Sequence, residues 1–321
     1  MKLLQVDERN PFDLVDDQGQ KVAGHVFPIE HQRAIEAALA AQRPLLVLGE
    51  PGTGKSQLAR AAAQALKRVF VSMVVDSQTL PRDLHYHLDS VERLAEAQNL
   101  SLAKKGDQES VHEFLALENF LRPGPLWWAF HHEEAKTLGH KKESKETNAL
   151  PAQAKGSDSK NGVVLLIDEI DKADPSVPNG LLEALADGSF ARPDRRRVVQ
   201  TGPFPLIVIT SNDERPLPAP FIRRCMVLKL AFPEKEEAFQ KEMVLRGKAH
   251  FDGSLDEDTL QEAARQLWQD RQEHIRVHKP PPGQAEYLDL LRAVLKLAPQ
   301  LNQEPAELVE ELAQFTFKKH L

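Results

Sequence analysis

The chain has 321 residues, and 41 basic and 48 acidic side chains give it a formal net charge of −7. This length exceeds what one compact domain usually holds, and the acidic balance argues against a dedicated duplex-binding protein. One cysteine, Cys225, excludes an internal disulfide and a cysteine-based zinc cluster. Neither a signal-peptide pattern nor an apolar run of about 18 residues is visible, so we expect a soluble, cytoplasmic protein.

The first two thirds of the sequence have the pattern of an α/β domain. Residues 1–28 predict short strands around a turn at Asp17–Gly19, too few to bury a core, so they must dock elsewhere. An alanine-rich helix is predicted from Ile29 to Ala41. Continuous apolar runs, typical of strands buried on both faces of a parallel sheet, follow at 45–49, 69–75, 163–168, 205–210 and 226–230. We expect a doubly wound five-stranded core over residues 29–232.

Two stretches interrupt this pattern, and a helical region follows it. Residues 82–133 carry helical patterns around a tight turn, whereas residues 136–161 are rich in Lys, Ser, Gly and Pro. With few large apolar groups, the second stretch is predicted to be a mobile surface insertion. After Pro233 the strand pattern stops, and helices are predicted at 234–250, 256–274, 284–297 and 305–319. We expect a small helical domain over residues 233–321.

A phosphate-binding pattern, GxxxxGK[ST], follows the first core strand and precedes a strong helix former. Glycines let backbone N–H groups turn around phosphate oxygens, and the helix N-terminus adds its positive dipole. Lys55 would reach the outer phosphates and Ser56 would bind Mg²⁺. The alternative is an ordinary glycine-rich turn. The candidate nucleotide-binding residues are Gly49, Glu50, Pro51, Gly52, Thr53, Gly54, Lys55, Ser56 and Gln57.

The predicted strand at 163–168 ends in two carboxylates, Asp168 and Glu169. On a sheet that carries a phosphate-binding loop, Asp168 can hold Mg²⁺ and Glu169 can act as general base for an attacking water. Alone, the pair could equally cap the next helix. With Lys55 in the same sheet, it predicts hydrolysis of a nucleoside triphosphate.

Polar residues also lie between the last two core strands. The strand at 205–210 leads into Ser211 and Asn212, at the sheet edge where open α/β sheets bind ligands. Asn212 could orient the attacking water or contact the terminal phosphate, and the alternative is a turn-forming asparagine. Arg223 and Arg224 precede the last strand, and paired surface arginines are more often solvated than catalytic.

These motifs in this order resemble the AAA+ ATPases, and among them the MoxR or dynein-related branch. The resemblance covers residues 24–321 and rests on GEPGTGKS, LLIDEIDKA, ITSNDERPLPAPFIRRC and the helical region behind them. The segments PRDLHYHLDS and RPGPLWWAF are also similar to MoxR-like proteins. The resemblance implies a sheet order of 5-1-4-3-2, ATP as the nucleotide, and a hexameric ring with nucleotide at each interface.

Roles follow from the resemblance motif by motif. Lys55 and Ser56 match Walker A, Asp168 and Glu169 match Walker B, and Asn212 matches sensor 1. Arg223 lies where such proteins keep the arginine finger, with Arg224 as its immediate rival, so hydrolysis would require assembly. Related proteins often carry a sensor 2 arginine early in the third helix of the C-terminal domain. Here that stretch offers Ala285 or Glu286, and Arg276 or Lys279 are the possible substitutes.

Weaker patterns leave two readings open. A predicted hairpin at 188–198 carries four arginines, Arg192, Arg195, Arg196 and Arg197. The cluster could bind nucleic acid phosphates. A solvated loop or a subunit contact fits the acidic chain better. Trp127 and Trp128 could bind a partner or pack on the sheet. Four histidines, His85, His87, His131 and His132, resemble metal ligands only loosely, and we expect no zinc. Cys225 precedes a buried strand and is not expected to be a catalytic thiol.

The predicted function is an ATP-driven ring ATPase that remodels or activates a protein partner. MoxR-like proteins are often associated with von Willebrand factor A domain proteins, in chaperone-like, metal-centre maturation or bacterial conflict roles, and this resemblance implies such a partner here. One alternative is a nucleotide-gated scaffold or signalling switch in a bacterial conflict system. A second alternative is a nucleic-acid-acting motor, which only the arginine hairpin supports.

Overall fold

The structure is a computed structural model, and it describes residues 4, 6–7, 10–103, 111, 115–138, 150–251 and 253–317. The strands are β1 (Phe12–Val15), β2 (Lys21–His25), β3 (Leu45–Gly49), β4 (Val69–Val74), β5 (Tyr86–Leu88), β6 (Leu121–Pro123), β7 (Val163–Asp168), β8 (Ser189–Ala191), β9 (Arg197–Val199), β10 (Leu206–Ser211) and β11 (Met226–Leu230). The helices are α1 (Ile29–Ala41), α2 (Lys55–Ala65), α3 (Ser90–Ala103), α4 (Pro125–Phe130), α5 (His132–Thr137), α6 (Ser176–Asp187), α7 (Ala219–Ile222), α8 (Glu236–Phe251), α9 (Glu257–Arg276), α10 (Gln284–Leu301) and α11 (Pro305–Thr316).

A five-stranded parallel sheet forms the centre of the fold, in the order β11-β3-β10-β7-β4. Counted along the core strands alone, this is the order 5-1-4-3-2, which confirms the predicted topology. Alternate residues of β7 face opposite sides: Val163 and Leu165 pack into one apolar cluster, and Val164 and Leu166 into the other. Both faces of the sheet are covered, which explains why the strands read as continuous apolar runs.

The alanines of α2 explain how the phosphate-loop helix packs so closely on the sheet. Ala59, Ala61, Ala62 and Ala63 are buried in the cluster that also contains residues of α1, β3 and β10. Small side chains allow close approach of the helix backbone and also favour the helical conformation. The N-terminus of α2 is thereby fixed at the carboxyl edge of the sheet, where β7 and β10 also end.

The helical region after β11 has a core of its own. Helices α8 to α11 bury a separate apolar cluster that includes Phe239, Leu267, Tyr287 and Val309. Their observed bounds lie within a few residues of the helices that the sequence predicts. We call this region, residues 233–317, the lid. No helix in the described ranges is long and apolar enough to cross a membrane.

The hairpin β1–β2 lies against both the core and the lid. The side-chain amide of Gln64 in α2 donates to the carbonyl oxygen of Val15 and accepts its N–H, both at 2.9 Å. On the other side, a Cβ at Gly24 would lie 2.2 Å from the carbonyl oxygen of Ala249 in α8. Only a glycine allows this approach, and the hairpin therefore bridges the two parts of the chain.

The second predicted interruption differs in part from expectation. Residues 150–161 are not an unpacked insertion, because Gln153 binds the edge strand β4 as a neighbouring strand would. Its side-chain amide accepts the N–H of Phe70 at 2.7 Å and donates to the carbonyl oxygen of Phe70 at 3.1 Å. Leu150 packs against the core beside it. Residues 139–149 of the predicted insertion lie outside the described residues.

Candidate functional site

The loop between β3 and α2 has glycines where the backbone requires them. Gly52 has a φ of 76° and Gly54 a φ of 95°, values that other residues rarely adopt. At Gly49, a Cβ would lie 2.5 Å from the carbonyl oxygen of Leu230 in β11. The loop runs directly into the N-terminus of α2, a helix end that favours anions. We call residues 49–56 the phosphate loop.

Lys55 is buried and held against the phosphate loop. Its Nζ donates to the carbonyl oxygen of Gly49 at 2.7 Å and to that of Glu50 at 2.9 Å. Burial lowers the pKa of Lys55, and nearby carboxylates, Asp168 foremost, oppose this change. The amine is therefore fixed beside acidic groups, where an anionic ligand of the loop would meet it.

Ser56 and Asp168 form a pair of oxygen donors at the sheet edge. The Ser56 hydroxyl donates to Asp168 Oδ2 at 2.8 Å and lies 3.0 Å from Oδ1. Thr210, at the end of β10, donates its hydroxyl to Asp168 Oδ1 as well. Hydroxyl and carboxylate oxygens are the ligand types that Mg²⁺ prefers, together with substrate phosphates. The residues present therefore fit a magnesium ion.

Glu169 adopts an unusual backbone conformation at the end of β7. Its φ is 61°, in the left-handed region that residues other than glycine rarely occupy and that clusters at functional sites. Its N–H donates to Thr210 Oγ1 at 3.0 Å. Lys172 Nζ donates to Glu169 Oε2 at 2.8 Å, and this pairing raises the pKa of Lys172. The candidate base is thus held in an ion pair within the chain.

Asn212 begins the loop after β10 and is held through its backbone. Its N–H donates to Asp171 Oδ2 at 3.2 Å, and its side-chain Nδ2 lies 3.4 Å from Glu214 Oε1. Asp171 is a buried carboxylate that the sequence reasoning did not single out. Its position in a strand-end motif with Asp168 and Glu169 was the available signal.

A cavity of about 530 Å³ opens between the phosphate loop, the strand ends and the lid. Its volume is in the usual range for small-molecule sites. The core residues that line it are Pro51, Gly52, Gly54, Lys55, Ser56, Gln57, Asp168, Glu169 and Asn212. The structure thus brings most of the predicted site residues to one cavity. Gly49 and Glu50 contribute through their carbonyl oxygens, which hold Lys55, and the Thr53 hydroxyl donates to Glu50 O at 2.8 Å.

The lid contributes Ala285 and Arg292, both on α10, to the lining of this cavity. Glu286 instead accepts the N–H of Gly283 at 3.0 Å and caps the helix. Arg276 and Lys279 are exposed and, within the described part of the chain, do not line the cavity. Arg292 was missed by the sequence reasoning, although its spacing of seven from Ala285 places both on one helix face.

Two further lid arginines contact the phosphate loop itself. Arg246 in α8 donates to the carbonyl oxygen of Thr53 at 3.3 Å, and Arg271 in α9 forms an ion pair with Glu50. Both guanidinium groups lie over the ring of Phe232, in the connection between β11 and the lid, at 5.7 and 4.7 Å. A movement of the lid must therefore change the contacts of the loop.

Arg223 and Arg224 lie apart from this constellation. They follow α7 and precede β11, and both are exposed. Among the described residues, neither lines the cavity or has an ion-pair partner. The chain therefore does not bring these arginines to its own candidate site.

The predicted arginine hairpin forms from β8 and β9, and three of its four arginines, Arg192, Arg196 and Arg197, pair within the chain. Arg192 is buried, binds Glu134 at 2.9 Å and Glu118 at 3.3 Å, and lies over the ring of Trp127. Arg196 binds Glu118 at 3.0 Å. These pairs connect the hairpin to residues 117–138, so Arg192 and Arg196 are neither free for phosphates nor simply solvated.

Other weak patterns also have structural roles. Trp127 and Trp128 are buried, and Trp127 packs edge-on against Phe190. His85 stacks on the same ring at 4.5 Å. Burial raises the pKa of the Cys225 thiol to about 12, so it stays protonated and unreactive at neutral pH.

Three histidines pack between the N-terminal hairpin, the phosphate loop and the lid. Burial lowers the pKa of His25 to about 3 and those of His31 and His250 to about 4, from an ordinary 6.5, with Arg246 adding repulsion. Between these values and pH 6.5, the unfolded chain binds protons that the folded chain does not. The free energy of unfolding should therefore be highest above pH 6.5 and decrease as the pH falls below 6.5. Each histidine contributes a decrease of up to about 1.4 kcal/mol per pH unit.

For His25 alone, this linkage predicts a loss of about 2 kcal/mol between pH 7 and pH 5. Urea unfolding at the two pH values measures it. His25→Gln should show a correspondingly smaller loss, whereas His87→Gln, at an exposed site, should keep the full loss. An equal pH dependence in wild type and His25→Gln would contradict the assignment.

The fold and the site together define the class. A five-stranded parallel sheet in this order, with a phosphate loop after β3 and a helical lid after β11, is the AAA+ type of P-loop fold. Residues 44–225 match the family model of the AAA domain, dynein-related subfamily. Because this match spans more than half of the 321 residues, the chain belongs to that family of AAA+ ATPases.

Solved structures with a similar fold include two of RuvB from Thermotoga maritima. The P216G mutant has 15% identity and a TM-score of 0.47, over 95% of this chain and 73% of that one. The RuvB Holliday junction branch migration motor has 17% identity and a TM-score of 0.43, over 89% and 67%. A candidate ATPase from Cytophaga hutchinsonii has 14% identity and a TM-score of 0.37, over 89% and 79%. No curated protein matches the sequence.

Proposed function

We propose that this protein is a MoxR-like AAA+ ATPase that binds and hydrolyses ATP, with Mg²⁺, at the subunit interfaces of a ring, in the family's hexameric form. The observation that carries the proposal is the convergence of Lys55, Ser56, Asp168 and Glu169 on one cavity that the lid borders. AAA+ ATPases bind ATP, usually with Mg²⁺, and typically assemble as rings. Membership in the family supports the same activity here.

Each residue has a chemical task in this proposal. The amides of the phosphate loop and the Lys55 ammonium hold the phosphates, and Ser56 and Asp168 hold the magnesium ion, which would offset the phosphate charge. Glu169 accepts a proton from the attacking water, and Asn212 orients that water. For Glu169 to accept this proton, its carboxylate must either break the ion pair with Lys172 or contact Lys172 and the water at the same time.

The contacts between the lid and the phosphate loop suggest how ATP hydrolysis is coupled to movement of the lid. Arg246 and Arg271 bind the loop residues Thr53 and Glu50, so a change at the phosphates alters the seating of the lid. We propose that this motion remodels or activates a protein partner in the cytoplasm, in a chaperone-like role. By resemblance, the partner is a von Willebrand factor A domain protein.

One observation favours a second candidate. Because Glu169 is paired with Lys172 in the single chain, assembly rather than turnover could be the output, as in a nucleotide-gated scaffold or switch. Steady turnover well above the basal rate on addition of a partner would count against this candidate. The third candidate, a nucleic-acid motor, loses support because three of the four hairpin arginines pair within the chain.

Lys55→Ala should weaken ATP binding by about 100-fold or more, because it removes the buried cation that the phosphates would meet. Calorimetry with ATP and Mg²⁺ measures the affinity. Lys241→Ala, which removes a cation from an exposed position of α8, is the matched control and should bind as wild type does. Wild-type protein without detectable binding at millimolar ATP would refute the proposed function.

A further inference from the structure

Asp171 is a buried carboxylate that the proposed chemistry does not use. It lies in the short turn Ile170–Lys172 after β7, and its residue is 3% exposed. One of its oxygens, Oδ2, accepts the N–H groups of both Asn212 (3.2 Å) and Glu214 (3.1 Å). A single side chain from the end of β7 thus binds two backbone groups in the loop after β10.

The loop that Asp171 binds is a tight turn whose side chains point into solvent. Asp213 has a φ of 61°, and its N–H donates to Ser211 Oγ at 2.9 Å. Residues 213–216 are exposed, so packing gives them little support. Hydrogen bonds to an ionised acceptor are stronger than those between neutral groups. The Asp171 carboxylate is therefore well placed to fix where this turn begins, and Asn212 is its first residue.

Asn212 and Glu169 line the same cavity from neighbouring strands, and Asp171 connects those strand ends. In a site that positions water for in-line attack, an error of about 1 Å in a positioning group costs on the order of 100-fold in rate. Such a loss appears in turnover rather than in binding when the displaced group contacts the transition state and not the bound substrate.

We propose that Asp171 is a positioning residue for ATP hydrolysis, which acts by holding the loop of Asn212 at the cavity beside Glu169. This inference rests on the proposed function, in which Asn212 orients the attacking water. Asp171 itself does not contact the substrate. Because one oxygen makes both hydrogen bonds, an amide at this position can still accept them, whereas a methyl group cannot.

The test compares Asp171→Ala, Asp171→Asn and Asp174→Ala. Asp174 is an exposed aspartate three residues away that accepts the N–H of Ser176, so it controls for loss of a local backbone contact. Steady-state kinetics give kcat and KM, calorimetry gives the ATP affinity, and hydrogen exchange reports on the amides of residues 206–217. Circular dichroism shows that each variant is folded.

We expect Asp171→Ala to lower kcat by about 10- to 100-fold, with ATP affinity within about twofold of wild type and faster exchange in residues 206–217. Asp171→Asn should recover kcat to within about threefold of wild type, and Asp174→Ala should match wild type.

Wild-type kcat and exchange in Asp171→Ala would overturn the inference, as would a loss explained by weaker ATP binding. If the wild-type protein has no ATPase activity, the proposed function fails. The role of Asp171 is tested independently by hydrogen exchange, and unchanged exchange in Asp171→Ala would overturn that role. If Asp171→Ala does not fold, two other variants test the inference. A wild-type kcat in Asp171→Leu would overturn it. A kcat in Asp171→Asn as low as that of Asn212→Ala would overturn it as well.

Discussion

Glu169→Gln should leave ATP binding within about twofold of wild type and lower kcat by about 10²- to 10⁴-fold, the usual contribution of a general base. Glutamine has nearly the same shape, so the cavity keeps its lining, but its amide cannot accept the proton of the attacking water. The variant keeps the residues assigned to magnesium and the phosphates, which are Asp168, Ser56 and Lys55. Calorimetry and phosphate release measure the two quantities.

Glu183→Gln is the matched control for this prediction, because it makes the same change at an exposed site on α6. It should turn over ATP as wild type does. Normal turnover in Glu169→Gln would show that the Walker B assignment is wrong. If the prediction holds, the variant loaded with ATP should stay in its assembled, engaged state, which makes it the form to use for capturing the protein partner.

The architecture of the core could be predicted because its signals are local. The five core strands are continuous apolar runs, and their observed bounds differ from the predicted ones by a residue or so at most. The shortness of these apolar runs and the turn residues around them indicate strands, but they do not order the strands in the sheet. The order 5-1-4-3-2 came from the resemblance, whose motifs carry the topology of a known family.

Much of the candidate site was predictable for a similar reason. Lys55 and Ser56 begin the helix behind the first core strand, Asp168 ends another core strand, and Asn212 directly follows a third. Parallel strands end at one edge of the sheet, so these residues are expected together there. Their residue types suit phosphate, magnesium and water. Their positions at one cavity agree with the prediction, and their roles stay predictions until the variants are measured.

The supporting residues could not be predicted, because their partners are distant in sequence. Arg271 binds Glu50 across 221 residues, and Asp171 binds the N–H of Asn212 across 41. No periodicity or motif reports such a pair. The same applies to Gln153, whose side-chain amide binds the backbone of Phe70 and attaches this part of the predicted insertion to the edge strand β4.

Arg223→Ala should lower kcat by about 10³-fold or more without weakening ATP binding to the single chain, because an arginine finger acts on the site of a neighbouring subunit. Three features support this assignment: Arg223 is exposed, it lies outside its own cavity, and it has no ion-pair partner among the described residues. Arg224→Ala, made in parallel, decides between the two arginines. Arg215→Ala, an exposed arginine of the preceding loop, is the matched control and should keep full activity.

Mixing two inactive variants tests whether the finger acts between subunits. Arg223→Ala keeps an intact Glu169 but lacks the finger, whereas Glu169→Gln keeps the finger but lacks the base. At an interface where the first variant supplies the cavity and the second supplies Arg223, one complete site forms. The mixture should therefore regain a fraction of the wild-type phosphate release that neither variant shows alone, and the fraction should follow the mixing ratio. If Arg223→Ala and Arg224→Ala are both fully active, or if no mixture with either variant recovers activity, these arginines do not complete a neighbouring site.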